Sequence, residues 1–265
     1  MTFQVIAERP GEAGSFVFYA PAGQAPSGEG LPILWLHGWA HDHRDWPRLI
    51  AELPGRRHYA ADAPGHGKAP LPPEAWGPDE YAAALLDQLP PDLAGSLLIV
   101  GHSFGCRVGM CAAARSDAIK GLMLIAAPGA QKKRSLGWHV RSRWLKVLSN
   151  SAKLSDRLIG TKRYARFAEK FGSADYKAAG AMRPTFVRVV NVSLEPFAAQ
   201  VKQPTLLVFG EKDTETPPEL GERFKSLMPD AELTIVDGAS HNGLLAEHAL
   251  AVATRLRRFL TRTGL

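Results

Sequence analysis

The apolar positions of this chain fall in short continuous runs: Phe16 to Tyr19, Ile33 to Leu36, His58 to Ala61, Leu97 to Val100, Leu122 to Ala126, Leu206 to Phe209 and Leu233 to Val236. Most show no polar alternation, which is the pattern of strands covered on both faces of a parallel sheet. Between several of them the period becomes helical. Asp79 to Leu89 is rich in Ala and Leu, follows Pro78 and carries two acids in its first turn. Leu245, Ala249, Val252, Leu256 and Leu260 recur at helical spacing, with Arg255, Arg257 and Arg258 near the end. Alternating strands and helices predict an α/β domain with right-handed crossovers.

Residues 131–200 break this rhythm. They hold no convincing strand and read as short amphipathic helices punctuated by Gly137, Gly160, Gly172 and Pro184. The alternation resumes at Thr205. The expected organisation is a core in two parts, 1–130 and 201–265, interrupted by a helical insertion at 131–200. That insertion holds 15 Lys/Arg against 4 Asp/Glu, whereas the chain as a whole is only +6.

With 265 residues, 45% hydrophobic and 22% charged, the chain is long enough for one sizeable core and is not of disordered composition. Two cysteines, Cys106 and Cys111, allow neither a disulfide framework nor a four-cysteine zinc site. No stretch approaches the ~18 apolar residues of a spanning helix. Met1 to Pro10 carries Glu8 and Arg9 and no apolar signal region. The expectation is a cytoplasmic protein, monomeric or homodimeric, without membrane or nucleic-acid partners.

Candidate chemistry begins where the run at Leu97 meets Gly101-His-Ser-Phe-Gly105, with an apparent helix from Cys106 to Ala114. A serine hydroxyl is a weak nucleophile that must be exposed, held sharply and placed beside a base. A strand-to-helix turn does this for Ser103, and Gly101 and Gly105 let the turn close without Cβ clashes. The competing reading is a Gly-rich turn with an incidental serine. Of the nine histidines, His241 follows a strand in the loop Asp237-Gly-Ala-Ser-His241, at the same carboxyl edge of the sheet as Ser103. Asp213, in Gly210-Glu-Lys-Asp213, is the preferred acid to orient it, with Glu211 and Asp237 as rivals. The loop Ala127-Pro128-Gly129 offers no carboxylate. After the run at Ile33, the backbone N–H of Trp39, with that of Phe104, is placed to receive an oxyanion. His37, His41, Asp42 and His43 in the same loop raise a metal-dependent alternative, but no further cluster at ligand spacing completes it.

Together His37-Gly38-Trp39, Asp62-Ala-Pro-Gly-His-Gly67, Gly101-His-Ser-Phe-Gly105, Gly210-Glu-Lys-Asp213 and Ser240-His241 resemble the α/β-hydrolase family, in family order over nearly the whole chain. The resemblance implies a mostly parallel central sheet of about eight strands flanked by helices, with a helical cap after the sixth strand. It implies Ser103 as nucleophile, His241 as base, Asp213 as acid, and Trp39 and Phe104 as oxyanion donors. Cys106 stands where many members carry a further Gly, and Lys68-Ala69 where a small hydroxyl residue is common; both concern packing. The His-Gly-Trp loop and compact capped layout are similar to those of small bacterial carboxylesterases acting on pimeloyl carrier-protein methyl ester. The caps do not visibly align, so that substrate is not carried over.

The implied activity is hydrolysis of a carboxylic ester or thioester through an acyl-serine, with no metal or organic cofactor. Ser at 103 argues against relatives that use Asp there, while amidases, carbon–carbon bond hydrolases and a catalytically silent binding homologue share the remaining pattern. His37, Trp138, Trp144 and Phe186 are candidate substrate contacts. The basic insertion is read either as a solvated face or as a field steering an anionic or carrier-linked acyl substrate.

Overall fold

The predicted runs assemble into one eight-stranded sheet. The computed structural model describes residues 1–25, 28–130 and 174–265, with 143–144, 147–148, 151 and 155–157. The strands are β1 (Phe3–Ala7), β2 (Val17–Pro21), β3 (Ile33–Leu36), β4 (His58–Asp62), β5 (Leu97–His102), β6 (Ile119–Ile125), β7 (Thr205–Gly210) and β8 (Ala231–Val236). Their spatial order is β1-β2-β4-β3-β5-β6-β7-β8. β2 pairs antiparallel with β1 and β4, and every pair from β4 to β8 is parallel.

The continuous runs are explained by cover on both faces. Leu34 and Leu36 of β3, Ile99 of β5 and Leu207 of β7 enter one core with α2 (Pro78–Asp87) and α4 (Phe104–Ala113). Their neighbours Ile33, Trp35, Leu98, Val100 and Val208 enter a second core with α1 (Pro47–Ala51) and α10 (Ala249–Thr263). The shorter helices are α3 (Pro91–Ala94), α5 (Ala174–Ala178), α6 (Arg183–Asn191), α7 (Glu195–Ala198), α8 (Pro218–Lys225) and α9 (Gly243–Ala246). Two edge strands depart from the expected pattern. β1 was not marked by any continuous run, because its middle three residues are exposed. β8 is mostly half-buried rather than covered on both faces.

Between β6 and β7 the described elements are helical, and no strand occurs among the described residues. The parts nearest the sheet are tied to it. Arg107 Nη1 donates to the carbonyls of Val189 (2.9 Å) and Val192 (3.1 Å) at the end of α6. Arg188 donates to Ala75 O (2.6 Å) and pairs with Glu80, and Arg223 pairs with Glu195 of α7 at 2.9 Å. Among the described residues, no helix is long and apolar enough to cross a membrane.

The sheet order reverses at β3: the chain runs from β3 outward to β4, then returns to place β5 on β3's other side. Such a switch point leaves a crevice outside the strands' carboxyl ends. Leu36 lies beside Gly101 in the parallel register, so the loops leaving β3 and β5 emerge together.

Candidate active site

Ser103 occupies the junction of β5 and α4 with φ +47° and ψ −105°. A side chain in that backbone region is strained, and surrounding contacts must hold it there. Its N–H donates to Ile125 O of β6 at 2.9 Å. Both flanking glycines are needed for close approach. A Cβ on Gly105 would stand 2.0 Å from Leu36 O, and one on Gly101 would stand 2.6 Å from the Gly105 carbonyl carbon.

Asp213 and His241 meet beyond β7 and β8. Asp213 is 2% exposed, and its Oδ2 accepts from His241 Nδ1 at 2.7 Å. Thr216 Oγ1 donates to the same oxygen at 2.6 Å, while Oδ1 accepts from the N–H groups of Glu215 and Thr216, both at 2.8 Å. Burial by itself raises this carboxyl's pKa, but the hydrogen bonds from His241 and Thr216 outweigh it and hold the pKa below the ordinary value. The carboxylate favours the imidazole with Nδ1 protonated, and Nε2 lies 3.9 Å from Glu215 Oε2. Of the rivals, Glu211 accepts from Gly238 N–H at 2.8 Å.

Ser103 and His241 line the same two adjoining cavities. One, of about 310 Å³, includes Gly38, Trp39, His41, His102 and Asp175. The other, of about 150 Å³, includes Trp39, Phe104, Arg107, Phe186 and Val189. Phe104 contributes the first N–H of α4, which has no intrahelical acceptor by position. No loop or side-chain acceptor for it, or for the N–H of Trp39, occurs among the described residues. The indole of Trp39 packs edge-on against Phe104 (5.5 Å) and at a tilt against Phe186 (5.1 Å).

The other predicted contacts are placed differently. His37 is buried and lines neither cavity: Nδ1–H donates to Gly38 O at 2.7 Å and Nε2 accepts from Ala63 N–H at 3.0 Å. It braces the loop that carries Trp39. Trp144 is 65% exposed and lines neither cavity. Trp138 lies outside the described residues.

Asp42, His43 and Asp62 each place a potential ligand atom within 4.8 Å of the others. Hydrogen bonds already engage both carboxylates and His43 Nδ1. Asp62 accepts from Tyr19 Oη (2.8 Å), His43 N–H (2.8 Å) and Lys68 N–H (3.0 Å), and the His43 ring stacks on Tyr19. Arg44 occupies Asp42. The Asp62-to-Gly67 segment is thus a hydrogen-bonded bracket beneath the β3 loop, and a Cβ on Gly67 would strike Asp62 at 2.1 Å.

Three groups at the site had no sequence signal strong enough to single them out. Thr216 sits in a polar turn, Arg107 inside an apolar helical run, and His102 within the motif beside the serine. His102 is fully buried and donates from Nε2 to His241 O at 3.3 Å, while its Nδ1 lacks a partner among the described residues. Burial, with the nearby imidazoles of His241 and His41, pushes its pKa down to about 3, so it stays neutral.

The model of the alpha/beta hydrolase family matches residues 33–255. The chain belongs to the alpha/beta hydrolase family. Among α/β-hydrolases it is 28% identical to the pimeloyl-[acyl-carrier protein] methyl ester esterase of Neisseria meningitidis over 250 residues, covering 86% of this chain and 92% of the relative. In structure it is similar to a putative lipase from Acinetobacter baumannii (TM-score 0.71, 17% identity, 99% and 93% of the two chains). It is also similar to a meta-cleavage product hydrolase from Pseudomonas fluorescens (TM-score 0.64, 18% identity, 96% and 98%). Those two similarities concern the α/β-hydrolase fold.

Proposed function

We propose that this chain hydrolyses carboxylic esters or thioesters of small acyl substrates through an acyl-serine on Ser103. The observation that carries the reading is the 2.7 Å bond between His241 and a buried Asp213, with that imidazole and the strained Ser103 lining one cavity. The family membership and the esterase named among the relatives support ester bonds as the target.

In the proposed mechanism, Ser103 Oγ attacks the acyl carbonyl while His241 Nε2 takes its proton. The carbonyl oxygen becomes an oxyanion held by the N–H groups of Trp39 and Phe104. Asp213 stabilises the imidazolium without taking its proton. The alcohol or thiol then leaves with the proton from His241, and the acyl group stays on Ser103. Water, deprotonated by His241, attacks the acyl-serine, and the acid departs as Ser103 regains its proton.

Residues 131–200 are proposed as the cap that shapes the substrate. Ala174, Asp175, Phe186, Val189 and Val190, all from this segment, line the cavities at Ser103. Amide and carbon–carbon substrates would meet the same three side chains, so the cavity wall decides among them.

The test pairs turnover with covalent labelling. The wild type is expected to hydrolyse p-nitrophenyl acyl esters, resist chelator and be labelled by a fluorophosphonate at Ser103. Ser103→Ala is expected to lose both. Chelator-sensitive turnover that survives Ser103→Ala contradicts the reading.

A further inference from the structure

Arg107 lies on α4, one turn beyond Ser103, and is 6% exposed. It lines the 150 Å³ cavity that holds Ser103 and His241 and also a neighbouring cavity of about 330 Å³ with Pro128, Val190 and Leu220. A buried guanidinium is costly without an anion. Among the described residues, no carboxylate lies in ion-pair range of it. Burial pushes its pKa down to about 10, which still leaves it charged at neutral pH.

Its role as a staple uses only one nitrogen. Nη1 makes both bonds to the carbonyls at the end of α6, where a cation is favoured. Nε and Nη2 have no hydrogen-bond partner among the described residues. Those two nitrogens form the side-on edge that grips a carboxylate bidentately. Elsewhere in this chain that same edge does so: Arg223 holds Glu195 with Nε and Nη2 at 3.0 and 2.9 Å, and Arg115 holds Asp79 in the same way.

We propose that Arg107 seats a carboxylate of the substrate, so that the preferred esters carry a carboxylate group a few atoms from the scissile carbonyl. This deepens the reading of Ser103 as nucleophile and rests on it. Glu215 also lines both cavities but is exposed to solvent, which screens it, whereas Arg107 acts from a desolvated wall. Glu215 and Asp175 would then disfavour anions that do not reach Arg107.

The experiment compares kcat/KM for esters ending in a carboxylate with their carboxamide-ended isosteres, over graded chain lengths. One series carries the group on the acyl side, as in aryl half-esters of succinate, glutarate and adipate; the other carries it on the alcohol side. The wild type is expected to prefer the carboxylate about 10- to 100-fold at one length in one series. In Arg107→Met that ratio is expected to fall to about one or below, and in Arg107→Lys to recover in part. A wild-type ratio near one throughout, or a ratio that persists in Arg107→Met, overturns the proposal.

Calorimetric titration with glutaramate, the monoamide of glutarate, reads the seat without turnover. Wild-type binding that glutaramide (the diamide) does not reproduce supports the proposal; equal affinity for the two overturns it. These wild-type measurements stand even if Arg107→Met fails to fold. Failure of the serine chemistry would appear separately, as absent fluorophosphonate labelling.

Discussion

Asp213 accepts four hydrogen bonds, and only one comes from His241. The other three come from the Glu215–Thr216 turn and set the carboxylate's direction before the imidazole meets it. Asp213→Asn keeps the size of the group but can present an N–H to Nδ1, favouring the wrong tautomer, so kcat is expected to fall by about 10⁴. Thr216→Val removes the 2.6 Å bond to Oδ2 and leaves the charge. Its expected effect is a loss of roughly 10-fold in kcat with little change in KM, since a hydrogen bond to a charged group is worth about 1.5–3 kcal/mol. Steady-state kinetics on one p-nitrophenyl ester checks both, and a Thr216→Val enzyme with wild-type kcat would remove Thr216 from the relay. Ser103, Asp213 and His241 could be read from the sequence because each follows a strand that ends at one edge of the sheet. Thr216 and Arg107 could not, because their roles depend on partners from other loops that no spacing rule links to them.

At the scale of elements, the absence of a side chain at Gly101 lets the turn from β5 into α4 close, and its absence at Gly105 lets the turn press against β3. The Cβ of an alanine at 105 would stand 2.0 Å from the backbone oxygen of Leu36, which belongs to a central strand and cannot retreat. Gly105→Ala is therefore expected to cost about 3 kcal/mol or more. Urea unfolding should show this as a lower midpoint at unchanged slope. A midpoint within error of wild type would mean that the turn is looser than these contacts imply. The buried strands were legible because cover on both faces writes a continuous apolar run. β1 lies at one edge of the sheet, where its middle residues meet water and no run forms; β8, at the other edge, was legible from Leu233 to Val236 although it is mostly half-buried. The elements described between β6 and β7 are helical, while Trp138 lies outside the described residues and Trp144 stands in solvent.

Across the whole molecule, several buried histidines are held neutral, some beneath the site and His58 at the opposite end of β4. His37 and His58 each donate from one ring nitrogen and accept at the other, which only the neutral ring can do. Burial lowers the pKa of both, and it carries His66 and His102 down to about 3. In the unfolded chain these rings titrate near 6.5. Between about pH 6.5 and pH 3 the unfolded state therefore binds more protons than the folded one, and stability falls as the solution is acidified. His66 and His102 alone give a slope of roughly 3 kcal/mol per pH unit in that window. Unfolding in urea at pH 6.5, 6.0, 5.5 and 5.0 should show this loss, and His66→Gln should reduce the proton uptake by about one. Stability that stays flat from pH 6.5 to 5.0 would mean that the buried rings are already charged. That neutrality was not legible: His37, His58 and His102 lie in or beside apolar strand runs, and it follows from tertiary burial.

The most direct measurement is rapid acid quench of the enzyme with a slowly deacylating p-nitrophenyl ester, followed by intact mass and peptide mapping. The account predicts a burst of p-nitrophenol of about one per enzyme and an added acyl mass on the peptide containing Ser103, both absent in Ser103→Ala. Turnover without any acylated peptide at Ser103, or an acyl group carried on another residue, would contradict it.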